Sequence, residues 1–207
     1  MVIVAGVAGA GFVVSRVLRE TTPVGRDVSS NGRARAAIAE RTGRSAGNPQ
    51  GSLTLVAFND FLCPVCKIMA PDLAAAVRSD GDVRIEYRDL AFFGPVAERA
   101  ALIGLAVVSQ GHYAAYHHRV MAVRQALNET VLRAIVEEIG ADWAQVADDL
   151  ERRRAAFQQR LQRDDELAYA LRISGTPAFL MGNLLAHGRL SKDDLLSAFA
   201  RARKIAG

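Results

Sequence analysis

Cys63-Pro64-Val65-Cys66 constrains this chain more than any other segment. These are its only two cysteines, and their spacing lets the sulfurs meet across one helical turn. Ser52 to Phe58 (Ser-Leu-Thr-Leu-Val-Ala-Phe) reads as a strand, and Lys67 to Arg78 reads as a helix. A C-x-x-C between a strand and a helix points to a redox-active dithiol. Two other readings compete. Zinc would need further ligands, either a second C-x-x-C or a Cys/His pair. The four histidines, His112, His117, His118 and His187, have no matching spacing, so no metal is expected. A purely structural disulfide would close a very short loop, where the entropic gain from cross-linking is small.

The chain has 207 residues, room for one domain with an insertion and an N-terminal arm. Its hydrophobic fraction of 50% supports a real core, and two cysteines exclude a disulfide framework. Charge is unevenly spread. Residues 1–50 hold seven arginines against Glu20, Asp27 and Glu40, which accounts for the whole net charge of +4. A nucleic-acid partner would want basic residues on a folded face, often with aromatics. The arm has Phe12 as its single aromatic, so no nucleic acid is expected, and an anionic membrane surface fits the arm better. Met1 to Ser15 is apolar and shorter than the roughly 20 residues that span a bilayer. It resembles the apolar region of a signal peptide or a shortened signal anchor. No basic stretch precedes it, and Arg16 and Arg19 follow at once, a placement that favours a cytoplasmic C-terminal part. A start further upstream would supply the missing charges; a disordered tail is the plain alternative. Export is the favoured expectation, because a working dithiol suits an oxidising compartment.

Along the chain, residues 1–19 read as the signal or anchor segment and 20–50 as a linker. Thr21-Thr22-Pro23, Ser29-Ser30-Asn31-Gly32 and Ser45-Ala46-Gly47-Asn48-Pro49 are breaker clusters, with a short helix expected at Arg33 to Arg41. Residues 51–94 hold strand, helix and strand. Pro71 lacks the amide that would bond back to Lys67, so the helix should kink or end there. Val83, Ile85 and Tyr87 alternate with Arg84, Glu86 and Arg88, the pattern of a half-exposed strand. Residues 95–172 are helical in pattern, with helices expected at 95–110, 112–126, 129–139, 142–149 and 151–172. Asn128 and Asp142 are plausible caps and Gly140 suits a helix end. In residues 173–207, Ser174-Gly175-Thr176-Pro177 stops the helical pattern. Ala178 to Met181 and Leu184 to Ala186 flank a Gly182-Asn183 turn as a hairpin, and Ser191 with Asp194 caps a last helix. The order is βαβ, a helical block, then ββα. That is an α/β, thioredoxin-like arrangement: a central mixed sheet with an all-helical insertion between its two halves.

Phe58-Asn59-Asp60-Phe61-Leu62-Cys63-Pro64-Val65-Cys66-Lys67 resembles the F-x-D-F/Y-x-C-P-x-C-K segment of DsbA-like thiol–disulfide oxidoreductases. Val83 to Leu90 resembles their second strand. Gly111-His112-Tyr113 through His117-His118 is similar to a helical-domain stretch of the family, and Leu171 to Gly182 resembles its cis-proline loop and third strand. The resemblance covers about residues 47–204. It implies a periplasmic or otherwise extracytoplasmic location and no cofactor beyond the Cys63–Cys66 disulfide. Its implied partners are cysteine-containing exported proteins and a membrane or soluble recycling partner, with membrane association through the N-terminal segment.

Within that frame Cys63 is the expected nucleophile, because a helix N-terminus favours its thiolate. Cys66, one turn deeper, is the expected resolving thiol. Pro64 restricts the turn and removes an amide donor. Val65 stands where the family's best-known oxidase has histidine, so the imidazole that helps hold a thiolate there is missing. The resemblance places a cis Thr176-Pro177 bond against the dithiol, with the Thr176 backbone pairing with extended substrate. Asp60, three residues before Cys63, is a candidate proton relay for Cys66. The histidines are expected as surface or helix-packing residues and Lys67 as a solvated one. Oxidase action leads; isomerase or reductase action, or a redox-inert peptide-binding module, are the alternatives.

Overall fold

The computed structural model describes residues 24–206, with side chains through Ile205. The apolar segment 1–19 and the Thr21-Thr22-Pro23 cluster lie outside the described residues. Six strands form one sheet: β1 Arg26–Asp27, β2 Ser45–Gly47, β3 Leu53–Asn59, β4 Val83–Asp89, β5 Ala178–Met181 and β6 Leu184–His187. Their order is β1-β6-β5-β3-β4-β2. β3 and β4 run parallel, in register from Leu53 opposite Val83 to Asn59 opposite Asp89, and the other pairs are antiparallel. This is the mixed thioredoxin-like sheet expected from the element order.

The parallel pair needs a crossover, and α2 (Pro64–Asp80) supplies it. Its inner face, with Cys66, Met69, Leu73, Ala76 and Val77, packs on Leu53, Leu55 and Ala57 of β3. Val56 and Phe58, pointing the other way, pack with Ala34 and Ala37 of α1 (Gly32–Ala39) and with Ala168 and Leu171. β3 is therefore covered on both faces, which explains its continuous apolar run. Five helices follow β4 before the hairpin: α3 Pro95–Val107, α4 Tyr113–Ala122, α5 Glu129–Glu138, α6 Trp143–Arg152 and α7 Arg154–Ala170. The side chains of Asn128 and Asp142 accept amide hydrogen bonds at the starts of α5 and α6. Gly140, with φ 81°, takes the left-handed conformation beyond α5. The chain closes with α8 (Lys192–Ala206).

Three local expectations change. The stretch read as a linker belongs to the sheet, where β1 pairs with β6 at one edge and β2 with β4 at the other. Arg201 on α8 ties the start of this stretch down by donating to Val24 O at 2.7 Å. Strands of two and three residues are too short to carry a period. Second, α2 neither ends nor divides at Pro71, because buried residues on both sides of it hold one continuous helix on the core.

Third, β4 is buried throughout rather than half-exposed. Its polar face is matched by charges from distant segments. Arg88 meets Asp164 of α7 at 3.1 Å and Glu40 at 2.7 Å. Arg44 meets Asp164 at 2.7 Å and Asp89 at 3.3 Å. Glu86 accepts from Thr42 N at 3.0 Å and Ser45 Oγ at 3.0 Å. Buried charges persist only when paired in this way.

Candidate active site

The site forms where β3 ends and α2 begins. Cys63 caps the helix with extended backbone, its amide donating to Asp60 O at 3.1 Å. Pro64 is the first helical residue, where its missing amide costs nothing. The Cys63 Sγ accepts from Cys66 N at 3.3 Å and, as a thiol, donates to Thr176 O at 3.3 Å. The Thr176–Pro177 bond is cis. The hairpin loop thus delivers its peptide group directly to the sulfur. Both cysteines are free thiols in this structure. Pro64 and Val65 face solvent, whereas Cys66 turns inward and is buried.

The two thiols have opposite electrostatics. Cys63 is lowered to about 6, first by hydrogen bonding with the Cys66 thiol. Burial opposes this; Thr176 and the Cys66 and Val65 amides add to it. The Thr176 hydroxyl is buried with no conventional hydrogen-bond partner. Cys66 is pushed far up by that same hydrogen bond and by burial, so it keeps its proton. A thiolate at Cys63 beside a protonated Cys66 is the pair that thiol–disulfide exchange requires.

Asp60 is fully buried. Its Oδ1 accepts from Leu62 N at 2.7 Å and its Oδ2 from Phe93 N at 3.0 Å. Burial raises its carboxyl, while its hydrogen bonds staple the 91–94 loop to the dithiol loop. That loop presents Phe92 and Phe93, about half exposed, and Val65 and Ile68 at the start of α2 are likewise exposed apolar residues.

Two residues sit differently from their sequence reading. His117 of α4 belongs to the floor of the site. Its Nε2 lies 3.1 Å from Asn59 Oδ1 and its ring stacks on Tyr87 at 3.9 Å. Burial lowers it to about 3, with His118 adding, so it is neutral. A cavity of about 20 Å³ is lined by His117, Asn59, Cys66, Tyr87 and Pro177, about the room one water needs. Asn59 Nδ2 donates to Asp89 Oδ1 at 2.9 Å, and the Tyr113 hydroxyl donates to the same carboxylate. Of the other histidines, His118 and His187 are exposed and His112 is half-buried. The signal for His117 was its four-residue spacing from Tyr113, which sets both on one helix face. Lys67 is half-buried rather than solvated, and its Nζ donates to Val123 O at 2.9 Å.

Residues 54–200 match the model of the DSBA-like thioredoxin domain. A thioredoxin-like oxidoreductase from Silicibacter pomeroyi DSS-3 superposes with a TM-score of 0.77 at 31% identity, over 84% of this chain and 98% of that one. The thiol-disulfide exchange protein alpha-DsbA2 from Wolbachia pipientis shares the fold, with a TM-score of 0.75 at 21% identity over 97% and 100%. The chain is also 29% identical to the Na(+)/H(+) antiporter NhaA 3 of Salinispora tropica over 163 residues, 76% of this chain and 25% of the antiporter. It therefore spans about a quarter of that relative's length. With its sheet, its inserted helices and its paired thiols, the chain belongs to the DSBA-like thioredoxin domain family of thiol–disulfide oxidoreductases.

Proposed function

We propose that the protein is a thiol oxidase, passing a Cys63–Cys66 disulfide to cysteine-containing exported proteins. The observation that carries this reading is the contrast between the two thiols, Cys63 lowered to about 6 and Cys66 pushed up. A client thiolate attacks Cys63 Sγ, the Cys63–Cys66 bond breaks, and Cys66 takes up a proton. A second client thiolate then attacks the client sulfur of the mixed disulfide, and Cys63 leaves as a thiolate. The client is oxidised by two electrons and the enzyme is reduced; a membrane or soluble recycling partner takes those electrons away. A stabilised Cys63 thiolate is the better leaving group, which favours this direction.

Thr176 and Pro177 hold an extended client by backbone pairing, and Val65 and Phe92 offer apolar contact. Asp60 is proposed to pass the Cys66 proton. No helix among the described residues is long and apolar enough to cross a membrane; the proposed membrane attachment rests on the apolar sequence of Met1 to Ser15. The likeness to part of an antiporter fits a place at a membrane.

The test is oxidation of a reduced peptide dithiol by the oxidised protein. Cys63→Ser and Cys66→Ser are each expected to abolish it, because neither variant can hold the Cys63–Cys66 disulfide that oxidises the client. Full turnover by Cys63→Ser would refute the proposal. Faster reduction of disulfides than oxidation of dithiols would favour a reductase or isomerase, and failure of the pair to cycle at all a peptide-binding role.

A further inference from the structure

On the sheet face opposite α2, α1 and α7 border an open cleft of about 240 Å³. Its lining includes Arg33, Arg88, Arg160 and Arg163 against Glu40 and Glu166, a net of two positive charges. The carboxylates are engaged within the protein. Glu40 lies between Arg88 at 2.7 Å and Arg160 at 2.9 Å, and Glu166 accepts from Gln162 at 3.0 Å. Arg33 and Arg163 are exposed and have no carboxylate partner among the described residues. Arg88 is 2% exposed, fixed by its pairs, and its buried Nε has no partner. Arg160 Nη2 is near Glu40 but lacks hydrogen-bonding alignment. Burial, with the guanidiniums of Arg44 and Arg88, holds the Arg160 pKa below the ordinary arginine value. The site thus concentrates forked donors that its own carboxylates do not satisfy.

We propose that this cleft binds a phosphate group, free or carried on a small ester or lipid headgroup. Guanidinium forks match phosphate oxygens two at a time, and a dianion neutralises the excess of two charges that a single carboxylate would halve. Ala36, Ala37 and Leu167 complete the wall with apolar surface, suited to an organic body attached to the phosphate. Both Nη atoms of Arg88 are engaged by Asp164 and Glu40, so Arg88 supplies fixed positive charge and Arg33, Arg160 and Arg163 supply the donors.

The experiment uses the full-length oxidised protein at constant ionic strength. Inorganic phosphate is expected to raise its melting temperature saturably, where chloride does not. Arg33→Gln with Arg163→Gln removes two unpaired, exposed charges; it should weaken phosphate binding at least tenfold without altering dithiol exchange. Ala36→Glu, which adds a carboxylate to the cleft wall, should do the same. Sedimentation with phosphatidylcholine vesicles containing phosphatidic acid separates the sources. A bound fraction that drops in the variants identifies a lipid headgroup; equal vesicle binding with a variant-sensitive phosphate shift identifies a soluble phosphate. A shift that does not saturate, or that both variants retain, overturns the proposal.

Discussion

Cys63 receives the Cys66 amide at 3.3 Å at the mouth of α2, while Cys66 faces the apolar floor. Position alone thus separates two identical groups. In the reduced protein, alkylation of Cys63 should rise with pH about a midpoint of about 6, while Cys66 stays unreactive at neutral pH; peptide mapping after iodoacetamide treatment measures both. A stability dependence follows. The folded value of about 6 lies below an unfolded thiol value of about 8.5, so between them the unfolded chain binds more protons. Stability of the reduced protein should therefore rise with pH across that window, and this contribution vanishes below it. The urea midpoint of the reduced protein, taken relative to Cys63→Ala, should grow between those pH values; a constant difference would contradict the assignment. The dithiol and the Thr176-Pro177 loop were legible because each is a local motif. His117 and Asn59 were not, since only the packing of α4 on β3 and β4 brings them beneath Cys66.

At the scale of elements, β4 shows how far a local pattern reaches. Its alternation of Val83, Ile85 and Tyr87 with Arg84, Glu86 and Arg88 was legible as a strand. Burial of the charged face was not, because the partners of Arg88, Glu40 and Asp164, come from segments 48 residues before and 76 residues after it in the chain. Asp164→Ala leaves the Arg44 and Arg88 guanidiniums buried without their shared carboxylate. It should destabilise by about 3–5 kcal/mol, the scale for breaking a buried pair, read from urea unfolding; a loss below about 1 kcal/mol, the scale of an exposed pair, would contradict the buried network. α2 carries the opposite lesson. Pro71 correctly marks a missing amide, but tertiary packing keeps the helix whole. Pro71 is exposed in the helix interior, so Pro71→Ala should stabilise the fold by up to about 3 kcal/mol. A lower melting temperature would show that the helix depends on the proline.

The whole molecule joins two halves that the sequence order already announces, βαβ and ββα, with helices between them. Their order was legible because each unit is contiguous and strongly patterned. The sheet edges were not, since Arg26–Asp27 and Ser45–Gly47 are strands only through their pairing with β6 and β4. The fold brings the cis Thr176–Pro177 peptide to within 3.3 Å of a sulfur 113 residues earlier. The redox poise follows from the Cys63 thiol, lowered first by its hydrogen bond with Cys66 and further by Thr176. A thiol lowered to about 6 falls between thioredoxin at about 7 and the most oxidising relatives at about 3.5. The exposed Val65 supplies no imidazole to lower it further. The most direct test is the reduction potential of Cys63–Cys66 against glutathione buffers. It should fall between about −270 and −120 mV, on the oxidising side of thioredoxin; a potential at or below about −270 mV would contradict an oxidase.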